Sequence, residues 1–130
     1  MDNKIIDKFL NLNNVGLIKN ASGVGVNCEE TCKNTYKIYL VIEGQKITDA
    51  KFKAFGNPVF VSVCDEITEI VKKKSVNEAI NISEEVIDKI LVDYELDKQF
   101  NAKFFKLSIE NAIKDFNKKE KKKQNSKKNK

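Results

Sequence analysis

A change of hydrophobic period in the middle of the chain constrains its fold more than any other feature. From Ile47 to Ala54, apolar and polar residues alternate with a period of two, which is typical of a strand with one buried face. After Gly56 the apolar residues recur every three or four positions as far as Val71, so they share one side of a helix. Asn57 can accept a first-turn N–H, and Pro58 needs no N–H partner there. The sequence therefore predicts a strand, a sharp turn and a helix.

The flanking segments extend this unit into a sheet with helices. Strand alternation continues through Thr35–Glu43, and Glu43-Gly44-Gln45 predicts a hairpin turn into the strand that begins near Ile47. We also expect a short strand around Val24–Val26 and an edge strand at Val15–Ile18. Helices are predicted at Asn3–Leu12, Val76–Ile80, Val86–Val92 and about Lys98–Lys118. The main strands then form an antiparallel three-stranded sheet with helices packed on one face, an α+β fold.

The charge distribution divides the chain into two parts. Of its 130 residues, 117–130 contain eight lysines and one glutamate, whereas the first 116 residues carry a small net negative charge. We therefore predict a single domain over residues 1–116 and a disordered lysine-rich tail over 117–130, because the tail cannot bury enough apolar area to offset its ordering entropy. The tail has no arginine or aromatic residue for base recognition, so nucleic-acid binding is disfavoured against a solvated tail.

The overall composition excludes several classes of function. No apolar run reaches the roughly 20 residues of a membrane span, and the start lacks an apolar signal segment, so we expect a cytoplasmic protein with no membrane partner. Histidine is absent. A metal site would therefore use thiolates, carboxylates, backbone or water, and imidazole catalysis is excluded. Separately, we expect no enzymatic activity. The three cysteines are expected to be reduced and available to metals or sulfur chemistry.

One motif resembles a known family. The run Asp49-Ala50-Lys51-Phe52-Lys53-x-Phe55-Gly56, followed by Thr68-Glu69, is similar to the IscU/NifU-type iron–sulfur cluster assembly scaffolds. The resemblance implies the α+β fold described above, and it implies an iron–sulfur cluster, iron or zinc as cofactor or cargo. In that family three cysteines, an aspartate and a nearby histidine converge at one end of the molecule.

Cys32 is the first candidate site residue. The resemblance places Cys32-Lys33-Asn34 where the family has Cys-Gly-Asp, so Cys32 corresponds to the first family cysteine. It is either a sulfur acceptor or metal ligand, with Lys33 available to lower the thiol pKa, or a loop thiol without a role. Cys28 lies four residues earlier with two glutamates between, so Cys28 and Cys32 are candidates for a two-thiolate zinc or iron site.

The other family ligand positions carry different residues. Asn57 stands where the family has its second cysteine, and we interpret it as a helix cap. Cys64 lies seven residues later, which is ~10 Å along a helix, so it is either a core residue or an additional metal ligand. Phe104 and Phe105 stand where the family has His-Cys. They either fill the former site as core or form an aromatic docking patch for a partner.

These observations leave two functions open. In the first, the chain is a diverged iron–sulfur cluster assembly scaffold that accepts sulfur or binds iron or zinc through Cys32. Its partners would then be a cysteine desulfurase and another scaffold or an apo-acceptor protein. In the second, it is a cluster-free adaptor or regulator that docks on a desulfurase or another scaffold through Phe104 and Phe105.

Overall fold

The computed structural model describes residues 3–128, with the side-chain surroundings of residues 6–123. Three strands and five helices lie in this range. They are α1 (Asn3–Leu10), β1 (Gly23–Cys28), β2 (Thr35–Glu43), β3 (Lys46–Phe55), α2 (Pro58–Val71), α3 (Val76–Ile80), α4 (Glu84–Asp93) and α5 (Ala102–Lys128).

The three strands form one antiparallel sheet in the order β1-β2-β3. Gly44 and Gln45 form the predicted hairpin turn between β2 and β3, both with positive φ, which matches the right-handed twist of the flanking strands. A register shift between Val41 and Ile42 places a bulge near the closed end of this hairpin. Helices α5 and α2 pack on the sheet, and the buried apolar residues of both helices and the inner sheet face form one core. The predicted α+β fold is confirmed.

The junction between β3 and α2 follows the sequence pattern closely. The Oδ1 atom of Asn57 accepts a hydrogen bond from the backbone N–H of Phe60 at 2.9 Å, and Pro58 occupies the first helical turn. The capping interpretation of Asn57 is therefore confirmed. Alternation along β3 buries Ala50 and Phe52 against the helices. Strict alternation would place Ile47 on the opposite face, but the register shift buries it with them.

A pair of glycines allows α5 to lie directly on β1. A Cβ atom on Gly25 would come within 2.0 Å of the carbonyl oxygen of Ser108, and one on Gly23 within 2.2 Å of that of Ala112. Only glycine leaves space for this backbone approach. The short β1 strand thereby holds the long helix in place across the sheet.

Several predicted element boundaries differ from the structure. The edge strand expected at Val15–Ile18 is wrong, because only Val15 forms a bridge, a parallel one to Phe52. The last helix begins at Ala102 rather than near Lys98, since the side chain of Asn101 accepts a hydrogen bond from the N–H of Phe104 and caps the helix.

The same helix also continues to Lys128, past residue 117, where the sequence predicts the onset of disorder. Its lysines, glutamate and glutamine are good helix formers, and adding residues to a helix already packed as far as Phe116 requires no new nucleation. The division into a domain of residues 1–116 and a tail of 117–130 stays a prediction.

No helix within residues 3–128 is long and apolar enough to cross a bilayer. The cytoplasmic location stays a prediction.

Candidate functional site

Three chain segments meet at the end of the sheet where β1 runs into β2. Thr35 is paired with Cys28 on one side and with Phe55 on the other. The Oδ1 atom of Asn34 lies against the β3–α2 turn, only 2.9 Å from the position a Cβ atom would occupy on Gly56. The sheet topology thus brings the β1–β2 loop, residues 29–34, to the start of α2.

The beginning of α5 completes this end of the molecule. The Nδ2 atom of Asn27, on β1, donates a hydrogen bond to the carbonyl oxygen of Phe104 at 3.0 Å. The positions of Cys32, Asn57 and Phe104 therefore lie on three segments that are connected at one end, as the resemblance predicts for the family site.

Cys28 and Cys32 are joined by a disulfide, with their Cα atoms 4.9 Å apart. Cys32 is exposed and has a φ of 54°, whereas Cys28 is half-buried at the end of β1. The expectation of reduced thiols is therefore wrong for this pair in this structure, because a four-residue separation folded into a tight loop brings the two sulfur atoms into bonding contact. A two-thiolate metal site at Cys28 and Cys32 stays a prediction, and it requires both cysteines to be reduced.

Glu29 holds the β1–β2 loop closed by contacts that do not involve sulfur. Its Oε1 atom accepts hydrogen bonds from the Asn34 Nδ2 at 2.8 Å, the Asn34 N–H at 3.0 Å and the Thr31 hydroxyl at 3.1 Å. Its own carbonyl oxygen accepts the N–H of Cys32 at 2.8 Å. The hydrogen bond from the Asn34 side chain is the main cause that lowers the pKa of Glu29 below its usual value. Glu29 is therefore an anchor of the loop through its Oε1 atom.

An aromatic cluster fills the space behind this loop. It consists of Phe60, Phe100, Phe104 and Phe105, whose ring centroids lie 4.9–6.0 Å from one another. Phe105 is fully buried, so the prediction that its ring docks a partner is wrong, since packing against α2 removes it from the surface. Phe104 is half-buried, and its docking role stays a prediction.

The sequence interpretation missed the most exposed aromatic ring at this end. Phe55 is 73% exposed on the sheet face opposite the helices, in register with Thr35 and Cys28. Its position at the last residue of β3, out of phase with the buried Phe52, was the available signal.

Cys64 lies in the core on α2. Its side chain is fully buried among apolar neighbours, and this burial, with the nearby Asp65 charge, raises the pKa of its thiol well above the usual value. The prediction of Cys64 as a metal ligand is wrong, because its position two helical turns below Asn57 places it inside the fold.

A buried carboxylate on α2 organises the N-terminal segment and was not predicted. The Oδ1 atom of Asp65 accepts the N–H groups of Asn13 at 3.0 Å and Asn14 at 2.8 Å, and its Oδ2 atom pairs with the ammonium group of Lys8. The Asn14 side chain also donates to the Glu69 carboxylate at 2.9 Å. Asp65 lies on the side of α2 opposite Val63 and Ile67, so no feature of the sequence pointed to its burial. This network is structural.

The described residues do not supply the ligand set of a complete cluster site. Among them, no group of three or more cysteine, aspartate or glutamate side chains is arranged to hold a metal ion. Cys28 and Cys32 offer two sulfur atoms, the Asn57 oxygen is committed to its cap, and a phenyl ring cannot be a ligand. The geometry fits chemistry on sulfur better than enclosure of a cluster within one chain.

The chain is similar to known iron–sulfur assembly proteins. The profile of the NifU-like N terminal domain family matches residues 1–123. An iron–sulfur cluster assembly scaffold protein IscU from Rickettsia prowazekii is 35% identical over 92 residues, which are 68% of this chain and 70% of that protein. The scaffold protein IscU 1 of Archaeoglobus fulgidus is 33% identical over 88 residues, 68% of this chain.

The similarity extends to three dimensions. The crystal structure of a protein described as a scaffold for the SUF system, from Fervidobacterium islandicum AW-1, matches with a TM-score of 0.63 and 22% identity over 89% of this chain and 96% of that one. At this identity the match shows the fold alone. The present chain spans just over half, 58%, of the length of the Archaeoglobus relative. On the family profile and the sequence identities together, the chain belongs to the NifU-like N-terminal domain family.

Proposed function

We propose that this chain serves iron–sulfur cluster assembly as a carrier that accepts sulfur on Cys32 from a cysteine desulfurase. The observation that carries the proposal is the placement of Cys32 on an exposed loop, at the end of the sheet where the family's ligand positions converge. Iron and the growing cluster are substrates in this function, and the two sulfur atoms of one chain leave further iron ligands to come from a partner.

The electrostatic surroundings favour thiol chemistry at this position. Cys32 is flanked by Lys33, and its loop is held against the N-terminal end of α2, where the helix dipole is positive. The loop is also accessible to a large donor, because Cys32 lies outside the aromatic cluster. Acceptance of sulfur needs an exposed nucleophilic sulfur, and Cys32 is the exposed cysteine of the three.

Transfer of labelled sulfur tests this function. The reduced protein is incubated anaerobically with a cysteine desulfurase and [35S]cysteine, and protein-bound sulfane sulfur is counted after gel filtration. Because Cys28 lies close enough to react with sulfur carried on Cys32, uptake is measured in chains that lack Cys28. Cys28→Ser and the double variant Cys28→Ser/Cys64→Ala should each take up about one sulfur per chain, and Cys28→Ser/Cys32→Ser should take up less than about a tenth of that. Undiminished uptake by Cys28→Ser/Cys32→Ser would overturn the proposal. Iron and acid-labile sulfide per chain, measured in parallel, report whether any cluster forms.

A second candidate, the cluster-free adaptor, is favoured by a different observation. Phe55 presents 73% of its surface beside the cysteine loop, where no core contact requires an aromatic ring. In this function the ring binds an apolar pocket of a desulfurase or of another scaffold, and Cys32 is dispensable.

Binding of a desulfurase distinguishes the two candidates. Phe55→Ala should weaken the Kd at least about tenfold if the adaptor function holds, while Cys32→Ser should leave it unchanged. Leu10→Ala is the matched control, because Leu10 is also 73% exposed but lies on α1. Equal affinity of Phe55→Ala and wild type would overturn the adaptor function.

A further inference from the structure

The structure contains a second sulfur atom positioned to act on the first. Cys28 and Cys32 are bonded in the observed state, and their Cα separation of 4.9 Å lies in the range of ordinary disulfides. Cys28 is the last residue of β1 and is half-buried, whereas Cys32 is exposed in the loop. A donor therefore reaches Cys32 more easily, and Cys28 is the partner held behind it.

The loop is also closed by contacts that do not depend on the disulfide. The Glu29 carboxylate binds Thr31 and Asn34, the Glu29 carbonyl binds the N–H of Cys32, and Cys28 is held in the sheet by its pairing with Thr35. None of these contacts uses a sulfur atom. A nucleophile and its target held in this way react with a high effective concentration.

We infer that Cys28 is a resolving cysteine that releases sulfide from a persulfide carried on Cys32. This inference rests on the proposed function, which brings the sulfur to Cys32. Cys64 cannot take this role, because it is fully buried.

The Cys28 thiolate attacks the Sγ atom of the Cys32 persulfide, the bond between the two Sγ atoms forms, and the bond from Cys32 Sγ to the outer sulfur breaks. The outer sulfur leaves as hydrosulfide with the bonding pair and gains two electrons, which the two thiol sulfurs lose on forming the disulfide. The observed disulfide is the product of this step. An external dithiol reductant returns both cysteines to thiols for the next cycle.

A single-turnover experiment tests the step without a desulfurase. The reduced protein, freed of reductant under argon, receives one equivalent of glutathione persulfide. Released sulfide is trapped with monobromobimane, and the intact protein is weighed after alkylation. Wild type should release about one sulfide per chain and form the Cys28–Cys32 disulfide. Its rate of sulfide release should be at least about tenfold higher than that of Cys28→Ser or Cys28→Ala. These two variants should retain the added sulfur on Cys32, and Cys64→Ala should behave as wild type.

The outcomes separate this inference from the proposed function. If wild type and the Cys28 variants release sulfide at the same rate, or if wild type keeps its persulfide, the resolving role is overturned while sulfur acceptance by Cys32 stands. If sulfur is retained on Cys28 in Cys32→Ser and not on Cys32 in the Cys28 variants, the assignment of the two roles is overturned. If no variant and no wild-type chain gains sulfur on Cys32, both the resolving role and the proposed function fail.

Discussion

Two cysteine and carboxylate pairs in this molecule have opposite properties. On α2, Cys64 and Asp65 are both fully buried, whereas in the β1–β2 loop Cys32 is exposed and Glu29 lies near the surface. Each carboxylate binds two backbone N–H groups or an equivalent set of donors. Both carboxylates hold nearby backbone in place. The two thiols differ in burial, and burial decides which of them is available for chemistry.

The difference is also energetic. Asp65 fixes Lys8, Asn13 and Asn14 to α2 from inside the fold, so its loss leaves buried donors unpaired. Glu29 closes a loop that water reaches, so its loss leaves donors that water can satisfy. A carboxylate should therefore contribute much more to the free energy of unfolding at Asp65 than at Glu29.

The largest expected effect is on stability at the buried pair. Asp65→Ala should lower the free energy of unfolding by about 3 kcal/mol, because it removes the partner of the buried Asn14 N–H, of the part-buried Asn13 N–H and of the Lys8 ammonium group. Urea denaturation measures the change. The control, Asp88→Ala at an exposed position of α4, should stay within about 0.5 kcal/mol of wild type. A loss below about 1 kcal/mol for Asp65→Ala would contradict the large stabilisation expected from the buried carboxylate.

Thiol reactivity should differ nearly as much between the two sites. In the reduced native protein, iodoacetamide should alkylate Cys64 at least ~100-fold more slowly than Cys32, since burial raises the pKa of the Cys64 thiol and blocks access. Mass spectrometry of timed digests measures both rates. In denaturing urea the rates should converge. Equal rates in the native protein would refute the buried assignment of Cys64.

A smaller effect is expected within the buried network. The hydroxyl of Tyr36 lies 2.7 Å from that of Thr68, which donates to the Cys64 carbonyl oxygen at 2.8 Å. Tyr36→Phe should cost about 1 kcal/mol in urea denaturation, and Thr68→Val should cost more, because it leaves the Tyr36 hydroxyl unpaired. The double variant should cost less than the sum of the two single losses. Additive losses would contradict the hydrogen bond.

Tyr36 also predicts a pH dependence. Burial raises the pKa of Tyr36 in the folded state well above its usual value. The stabilisation of the fold by the neutral Tyr36 hydroxyl is therefore complete at pH values below the unfolded pKa of about 10. This stabilisation should be lost as the pH rises beyond that value. The alkaline fall in stability should be shallower in Tyr36→Phe than in wild type, and parallel curves would contradict this origin.

The smallest expected effect concerns the exposed pair. Glu29→Ala should leave the midpoint of global urea unfolding unchanged. It should nevertheless lower the effective concentration of the Cys28 and Cys32 thiols for each other a few-fold in a glutathione redox buffer, because the loop loses its anchor. Glu30→Ala is the matched control, since Glu30 is the exposed neighbour. Equal effects of the two substitutions would show that Glu29 does not hold the loop closed.

The pH dependence at this loop has the opposite direction to that of Tyr36. The Asn34 hydrogen bond lowers the folded pKa of Glu29, so its stabilisation of the loop is present above the unfolded pKa and is lost as the pH falls through the lowered value. The effective concentration of the two thiols should decrease over that acidic range in wild type and should not in Glu29→Ala.

Local pattern was sufficient for the elements and for the family resemblance. Alternation predicted β2 and β3, and the Asn57 and Pro58 pair predicted the start of α2, because each depends on neighbours in sequence. The end of α5 was missed, since helix propagation from a packed segment outlasts the last apolar residue. The strand at Val15–Ile18 was overestimated because its single bridge is to Phe52 and the preceding Asn14 is held by Asp65, and neither contact is with a neighbour in sequence.

The sequence by itself determined the order of strands and helices. It also showed that the chain has three cysteines and no histidine, and that most of the family's ligand positions carry residues of another type. Only the tertiary structure decided which thiols can react. Residue spacing cannot show that Cys64 and Phe105 are enclosed in the core, because burial depends on the facing element. Nor can spacing show that the Glu29 network holds Cys28 against Cys32, since that closure follows from the pairing of β1 with β2.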